Sequence, residues 1–135
     1  MAASEETVMK PEFQLGMSHE IIEDTLPSHA APHLAAGGKM VFSTPSMIGF
    51  MERCSVQLLK PYLEEGENSV GYRVNVTHIA GTPIGQKVRV KSTVSAINGR
   101  RIIFAVEAYN EKEKIGEGEH ERVIITPKKS ASRPA

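Results

Sequence analysis

The chain has 135 residues, 40% hydrophobic and 5% aromatic, with no tryptophan and one cysteine, Cys54; that is room for one domain with one core and excludes an intramolecular disulfide scaffold or a cysteine-rich zinc module. Sixteen basic side chains balance sixteen acidic ones, which argues against a broad electrostatic footprint for nucleic acid or an anionic membrane, and the scarcity of aromatics argues against a stacking platform for single strands. No apolar run approaches the ~18 residues needed to span a bilayer, the polar N-terminus lacks a secretory pattern, and the lone cysteine fits a reducing, cytoplasmic compartment.

Residues 1–11 read as a flexible leader and 127–135 as a polar, proline-bounded tail, leaving one domain over 12–126. A first strand is predicted over 13–23. Residues 26–38, rich in Pro, Ala, His and Gly, read as loop with one short helical turn. The clearest helix is predicted over about 45–62, with Thr44 at the N-cap and Pro45 as first helical residue; Pro61 ends it. At about 100° per residue, Met47, Met51, Cys54, Leu58 and Tyr62 share one side, Ile48, Val56 and Leu59 widen that arc, and Ser46, Gly49, Arg53, Gln57 and Lys60 lie opposite.

Four strand-like segments follow. Residues 69–80 alternate, with Val70, Tyr72, Val74, Val76 and His78 on one face, and 81–85 form a turn. Residues 86–97 alternate with Val88, Val90, Val94 and Ala96 inward, and Asn98-Gly99 is a hairpin signal. Residues 101–109 put Ile102, Phe104, Val106 and Ala108 on one face, and a charged turn over 110–113 leads to a last strand over 114–126. The fold class is therefore α+β, an antiparallel sheet of about five strands packed on one long helix. Its edge strands need covering, which pairing across a two-fold dimer would supply.

Three residues stand out chemically. Glu52 falls inside the apolar arc, between Ile48 and Val56, where a carboxylate costs desolvation energy unless it is paired; it reads as an acid or base, or as a boundary residue reaching solvent. His78 ends the inward face of its strand, where an imidazole can exchange protons near neutral pH or sit hydrogen-bonded in the core. Thr44 reads first as a helix cap, yet its hydroxyl lies beside the free N–H groups and positive end of the helix, where an oxyanion or nucleophile is stabilised. Thr44 and Glu52 are eight residues apart and project on the same side.

Other signals are weaker. His29 and His33 are spaced i, i+4, but Pro32 intervenes and no third ligand is evident, so no metal is assigned. Glu117, Glu119 and Glu121 read as the solvated face of the last strand, with His120 and Arg122 opposite; Arg122 can reach a cleft. Cys54 reads as core, not nucleophile. Gly37-Gly38 reads as a hinge or close-approach point.

The segments Ser43-Thr-Pro-Ser-Met-Ile-Gly-Phe-Met-Glu52, Lys60-Pro-Tyr-Leu-Glu-Glu-Gly66, Val76-Thr-His-Ile-Ala-Gly-Thr-Pro-Ile-Gly85 and Gly118-Glu-His-Glu-Arg122 resemble the hotdog-fold thioesterases, most closely the fluoroacetyl-coenzyme A thioesterase-like group. The resemblance implies a hotdog fold, a homodimer or tetramer with sites at the subunit interface, hydrolysis of acyl-CoA thioesters, and no cofactor. It places the family's catalytic Thr, Glu and His on Thr44, Glu52 and His78: Thr44 as nucleophile or positioner, Glu52 as nucleophile or base, His78 as proton shuttle. Gly71 and Arg122 fall on positions near the bound acyl group. One departure concerns the stretch Ala35-Ala-Gly-Gly-Lys39, which lacks the aromatics of the fluoroacetyl-specific lid and so removes apolar contacts and a barrier to water; the acyl group is left open.

The residues suit that chemistry, since thioester hydrolysis needs a nucleophile or activated water, proton transfer and donors for the oxyanion. Arg89, Lys91, Lys128 and Lys129 are candidates for the coenzyme phosphates or plain surface charge. Two alternatives to a hydrolase of small or medium acyl-CoA are a non-catalytic acyl-CoA binding module and a dimeric scaffold without ligand.

Overall fold

The computed structural model describes residues 9–31 and 39–126. The leader up to residue 8, His33, Gly37 and Gly38, most of the lid-equivalent stretch, and the tail with Lys128 and Lys129 lie outside the described residues. The elements are β1 (Ser18–Asp24), a 3-10 turn (Pro27–His29), helix α1 (Thr44–Leu59), a second 3-10 turn (Lys60–Tyr62), β2 (Asn68–His78), β3 (Lys87–Asn98), β4 (Arg101–Tyr109) and β5 (Lys114–Ile125). All strand pairs are antiparallel, in one five-stranded sheet of order β1-β3-β4-β5-β2. This is the expected α+β arrangement, and it leaves β1 and β2 as edges.

The helix buries Met47, Phe50, Met51, Cys54, Ser55, Leu58 and Leu59, a stripe recurring every three or four residues. They meet Val88, Val90 and Val94 of β3, Ile102, Phe104, Val106 and Ala108 of β4, and Ile115 and Ile124 of β5, none more than 2% exposed. Each large side chain so buried contributes roughly 1.5–3 kcal/mol. Ser55 is polar on this seam but satisfied: its hydroxyl donates to the Met51 carbonyl at 3.0 Å and sits 2.8 Å from the Ser92 hydroxyl. Cys54 is fully buried, and burial pushes its thiol up to about 11, which makes it a core residue.

Local departures from the sequence expectation have identifiable causes. The first strand starts at Ser18, because residues 10–17 turn on themselves through Phe13 N–H to Lys10 O at 3.1 Å and Gly16 at φ +84°. In β2 the register shifts between Gly71 and Arg73, so the supposed single apolar face is broken; Val70, Tyr72 and Val74 are 44%, 60% and 39% exposed. A second shift between Val94 and Ala96 pairs Ile97 with Ile102 and packs Ile97, not Ala96, against the core. On β5 Glu117 and Glu119 are exposed as expected. Glu121 is not: it is 5% exposed, held by Arg101 at 2.6 Å and Arg73 at 3.3 Å.

Two glycines of β5 differ in what a side chain would strike. At Gly118, φ +154°, a Cβ would lie 2.2 Å from Asn75 O and 2.6 Å from Val76 Cα, both β2 backbone; at Gly116 it would meet the movable end of Met47, with Sδ at 2.5 Å. Gly118→Ala is therefore expected to cost about 2 kcal/mol or more and Gly116→Ala distinctly less, read as shifts in the urea midpoint.

Candidate active site

The helix start is built by division of labour between two hydroxyls. Ser43, not Thr44, is the N-cap: its Oγ accepts from Ser46 N–H at 3.1 Å, and Thr44 and Pro45 are the first two helical residues. Proline is tolerated there because first-turn N–H groups have no helical acceptor. This corrects the expected cap, and it leaves the Thr44 hydroxyl free. The preceding segment is pinned from two sides: Ser43 N–H donates to His29 O at 2.9 Å and Phe42 N–H to Thr82 O at 2.8 Å. Met47 N–H returns to Ser43 O at 3.0 Å. Thr44 N–H is then the first-turn donor left unengaged among the described residues.

His78 ends β2, paired with Gly116, and Ile79 N–H donates to Ile115 O at 2.7 Å just beyond. This presents the imidazole to the helix start, where Nδ1 lies 2.7 Å from Thr44 Oγ1. Its Nε2 is buried without a hydrogen-bond partner among the described residues. Burial pushes the His78 pKa below the ordinary histidine value, and the Ala80 backbone offsets this only in part. The pair opens on a mainly apolar cavity of about 730 Å3 whose walls include Ala31, Phe42, Pro45, Ile79 and Ala80.

Glu52 belongs to a different cluster of the same chain. It sits two turns along the helix, about 12 Å from Thr44 along the axis, half-buried in a polar recess of about 340 Å3 with Gly71, Arg73 and His120. A Cβ added at Gly71 would lie 3.3 Å from Glu52 Oε2, 3.5 Å from Arg122 Nη1 and 3.5 Å from His120 Cε1. Only glycine therefore keeps that point open. Arg122 is 8% exposed and His120 1%. The structure thus brings Thr44 to His78, and Glu52 to Gly71 and Arg122, as two separate clusters within one chain.

The remaining candidates have structural roles or none assigned. His29 Nδ1 accepts from Leu26 N–H at 2.9 Å, and the ring packs edge-on to Phe50 at 5.1 Å. Among the described residues no group of three His, Cys, Asp or Glu gathers to hold a metal. Arg89 is engaged with Glu20 at 3.0 Å and stacked over Tyr109. His120, which the sequence places on the same face of β5 as Arg122 without a role, lines the Glu52 recess. No described helix is long and apolar enough to cross a membrane.

A family model described as "Fluoroacetyl-CoA-specific thioesterase" matches residues 23–128, which include both clusters. The chain belongs to the fluoroacetyl-CoA-specific thioesterase family. A fluoroacetyl-CoA thioesterase from Streptantibioticus cattleyicolor is 44% identical over 85 residues, 63% of this chain and 61% of that relative's length. The solved fluoroacetyl-CoA thioesterase FlK superposes with a TM-score of 0.79 at 32% identity, covering 90% of this chain and 98% of that one. A hot-dog-like protein from Thermanaerovibrio acidaminovorans, 24% identical, shares the fold with a TM-score of 0.81 over 90% of each chain. The sheet-on-helix architecture of this thioesterase-family chain is therefore the hotdog fold.

The separation of cap and free hydroxyl in this family member is measurable. Ser43→Ala is expected to cost about 1 kcal/mol. Thr44→Val is expected to leave the unfolding free energy within about 0.5 kcal/mol while removing the His78 contact, seen as a moved His78 ring resonance.

Proposed function

We propose that the protein hydrolyses small or medium acyl-CoA thioesters, with Thr44, Glu52 and His78 as catalytic groups and Gly71 and Arg122 beside the acyl group. The observation that carries this reading is the 2.7 Å contact between Thr44 Oγ1 and His78 Nδ1 at the mouth of an apolar cavity. With its proton on Nε2, the neutral ring offers Nδ1 as acceptor of the Thr44 hydroxyl proton, the geometry of a hydroxyl and its base. Burial favours that neutral form. The helix N-terminus and the Thr44 N–H favour negative charge developing on the thioester oxygen. As the C–S bond breaks, protonated His78 returns its proton to the departing thiolate. The acyl carbon that loses sulfur gains an oxygen, either from Thr44, with Glu52 then acting as base toward the water that cleaves the resulting ester, or from Glu52 itself, with water then cleaving the mixed anhydride; in each case the water oxygen ends on the free acid and the attacking residue is regenerated.

One chain keeps Glu52 away from the other two groups, and a second copy supplies the remedy. Among the described residues β2 is an unpaired edge bearing exposed Val70, Tyr72 and Val74, the kind of edge that demands a partner. Antiparallel pairing of two β2 strands about an axis between Val74 and Asn75 sets His78 of one copy opposite Gly71 of the other. Each site is then composite, with Thr44 and His78 from one protomer facing Glu52 and Arg122 from the next. The assembly is a homodimer, or a tetramer of such dimers. A buried free thiol suits a reducing compartment, and we place the protein in the cytoplasm.

A free-thiol assay over an acyl-CoA panel tests this. Turnover is expected, falling about 10²–10⁴-fold in His78→Ala and Glu52→Gln with folding retained. Saturable binding without turnover would make the protein an acyl-CoA binding module, and no ligand-dependent rise in melting temperature a scaffold. The base form of His78 is lost as pH falls, so kcat/KM should decline on the acid side with a midpoint below the ordinary histidine value of 6.5. In sedimentation, Val74→Lys is expected to give monomers that have lost activity; an active monomer would overturn the composite site.

A further inference from the structure

The buried guanidinium of Arg122 is held by a histidine to which no role has been given. Arg122 Nε donates to Ser69 Oγ at 2.9 Å and Nη2 to Ser69 O at 3.2 Å. Its Nη1 lies 3.1 Å from His120 Nε2. A guanidinium has donors only, so Nε2 must accept and the ring proton must sit on Nδ1. The other side of the ring agrees: Nδ1 lies 3.0 Å from the Arg73 carbonyl, which can only accept. Phe104 stacks on the ring at 6.4 Å and sets its plane. Both nitrogens are thus committed in a single tautomer. A proton added at Nε2 would set N–H against N–H and two cations side by side.

The groups facing His120 are Glu52 from α1, the Arg73 carbonyl from β2, Phe104 from β4 and Arg122 from its own strand. Burial lowers the His120 pKa first, with Arg122 adding to this and the Arg73 carbonyl and Glu52 opposing it. No carboxylate makes a direct ion pair with Arg122 among the described residues; Glu52 and Nη1 face each other across the space above Gly71.

We infer that His120 is a positioning residue: as a neutral imidazole carrying its proton on Nδ1, it fixes the Arg122 guanidinium so that Nη1 faces the gap over Gly71 opposite Glu52. The tautomer and the hold on Arg122 stand by themselves; their effect on turnover rests on the proposed acyl-CoA hydrolysis.

Nitrogen-15 NMR of the full-length protein is the direct test. The His120 ring should show a protonated Nδ1 and a bare Nε2, unchanged from about pH 8 to about pH 5.5. A proton on Nε2, or a doubly protonated ring in that range, would overturn the inference. His120→Gln keeps an acceptor near the Nε2 position, whereas His120→Phe keeps the ring shape and deletes it. The Phe variant should release the Arg122 side-chain N–H groups to fast exchange and raise KM about tenfold with a smaller change in kcat. The Gln variant should restore most of both. Equal behaviour of the two variants would overturn the role even if Phe lowers the melting temperature. A wild-type protein with the stated tautomer and slow Arg122 exchange but no acyl-CoA turnover would support the positioning and sink the functional reading.

Discussion

One helix face packed on one sheet decides where every candidate group lies. The stripe from Met47 to Leu59 locks α1 across β3, β4 and β5. That fixes which turn of the helix meets which end of β2. The first turn arrives at His78 and the third at Gly71. Those two points lie seven residues apart on one strand, so the sheet register and the helix rise together set the spacing of the two clusters. Loss of packing at the seam would therefore displace chemistry as well as stability.

The same packing leaves something undone. The helix covers the inner face of the middle strands, but the edge at β2 keeps apolar side chains in water. In an isolated domain this is a liability, and it is the edge at which the proposed pairing of two chains would join the two clusters. The polar recess around Glu52 and the apolar cavity beside Thr44 have opposite characters, which suits a substrate with a polarised carbonyl and an apolar body.

Much of this was legible in the sequence, for physical reasons. The period of Met47, Met51, Cys54 and Leu58 marked the buried helix face, and the alternation of Ile102, Phe104, Val106 and Ala108 marked a strand buried on one side. Asn98-Gly99 marked the hairpin between β3 and β4. The expectation that Thr44, Glu52 and His78 carry chemistry rests on residue type, place and resemblance; what the structure adds is the contact between Thr44 and His78. What escaped depended on partners far away in sequence. The shifts at Gly71 and at Val94 are one-residue events without a compositional signature, and each redirects the side chains beyond it. Glu121 looked solvated because its burial depends on Arg73 and Arg101 from two neighbouring strands. The cap was misplaced by one residue because adjacent Ser43 and Thr44 can both cap, and proline fits either of the next two positions.

The placement of Cys54 bears on what such an enzyme releases. The proposed cleavage liberates a thiol, and once such a thiol has been oxidised to its symmetric disulfide an accessible cysteine thiolate can attack it, forming a mixed disulfide and expelling one thiolate. Here the sole sulfhydryl of the chain is sealed between helix and sheet and held protonated. A disulfide formed from such a thiol therefore meets no accessible cysteine on this chain.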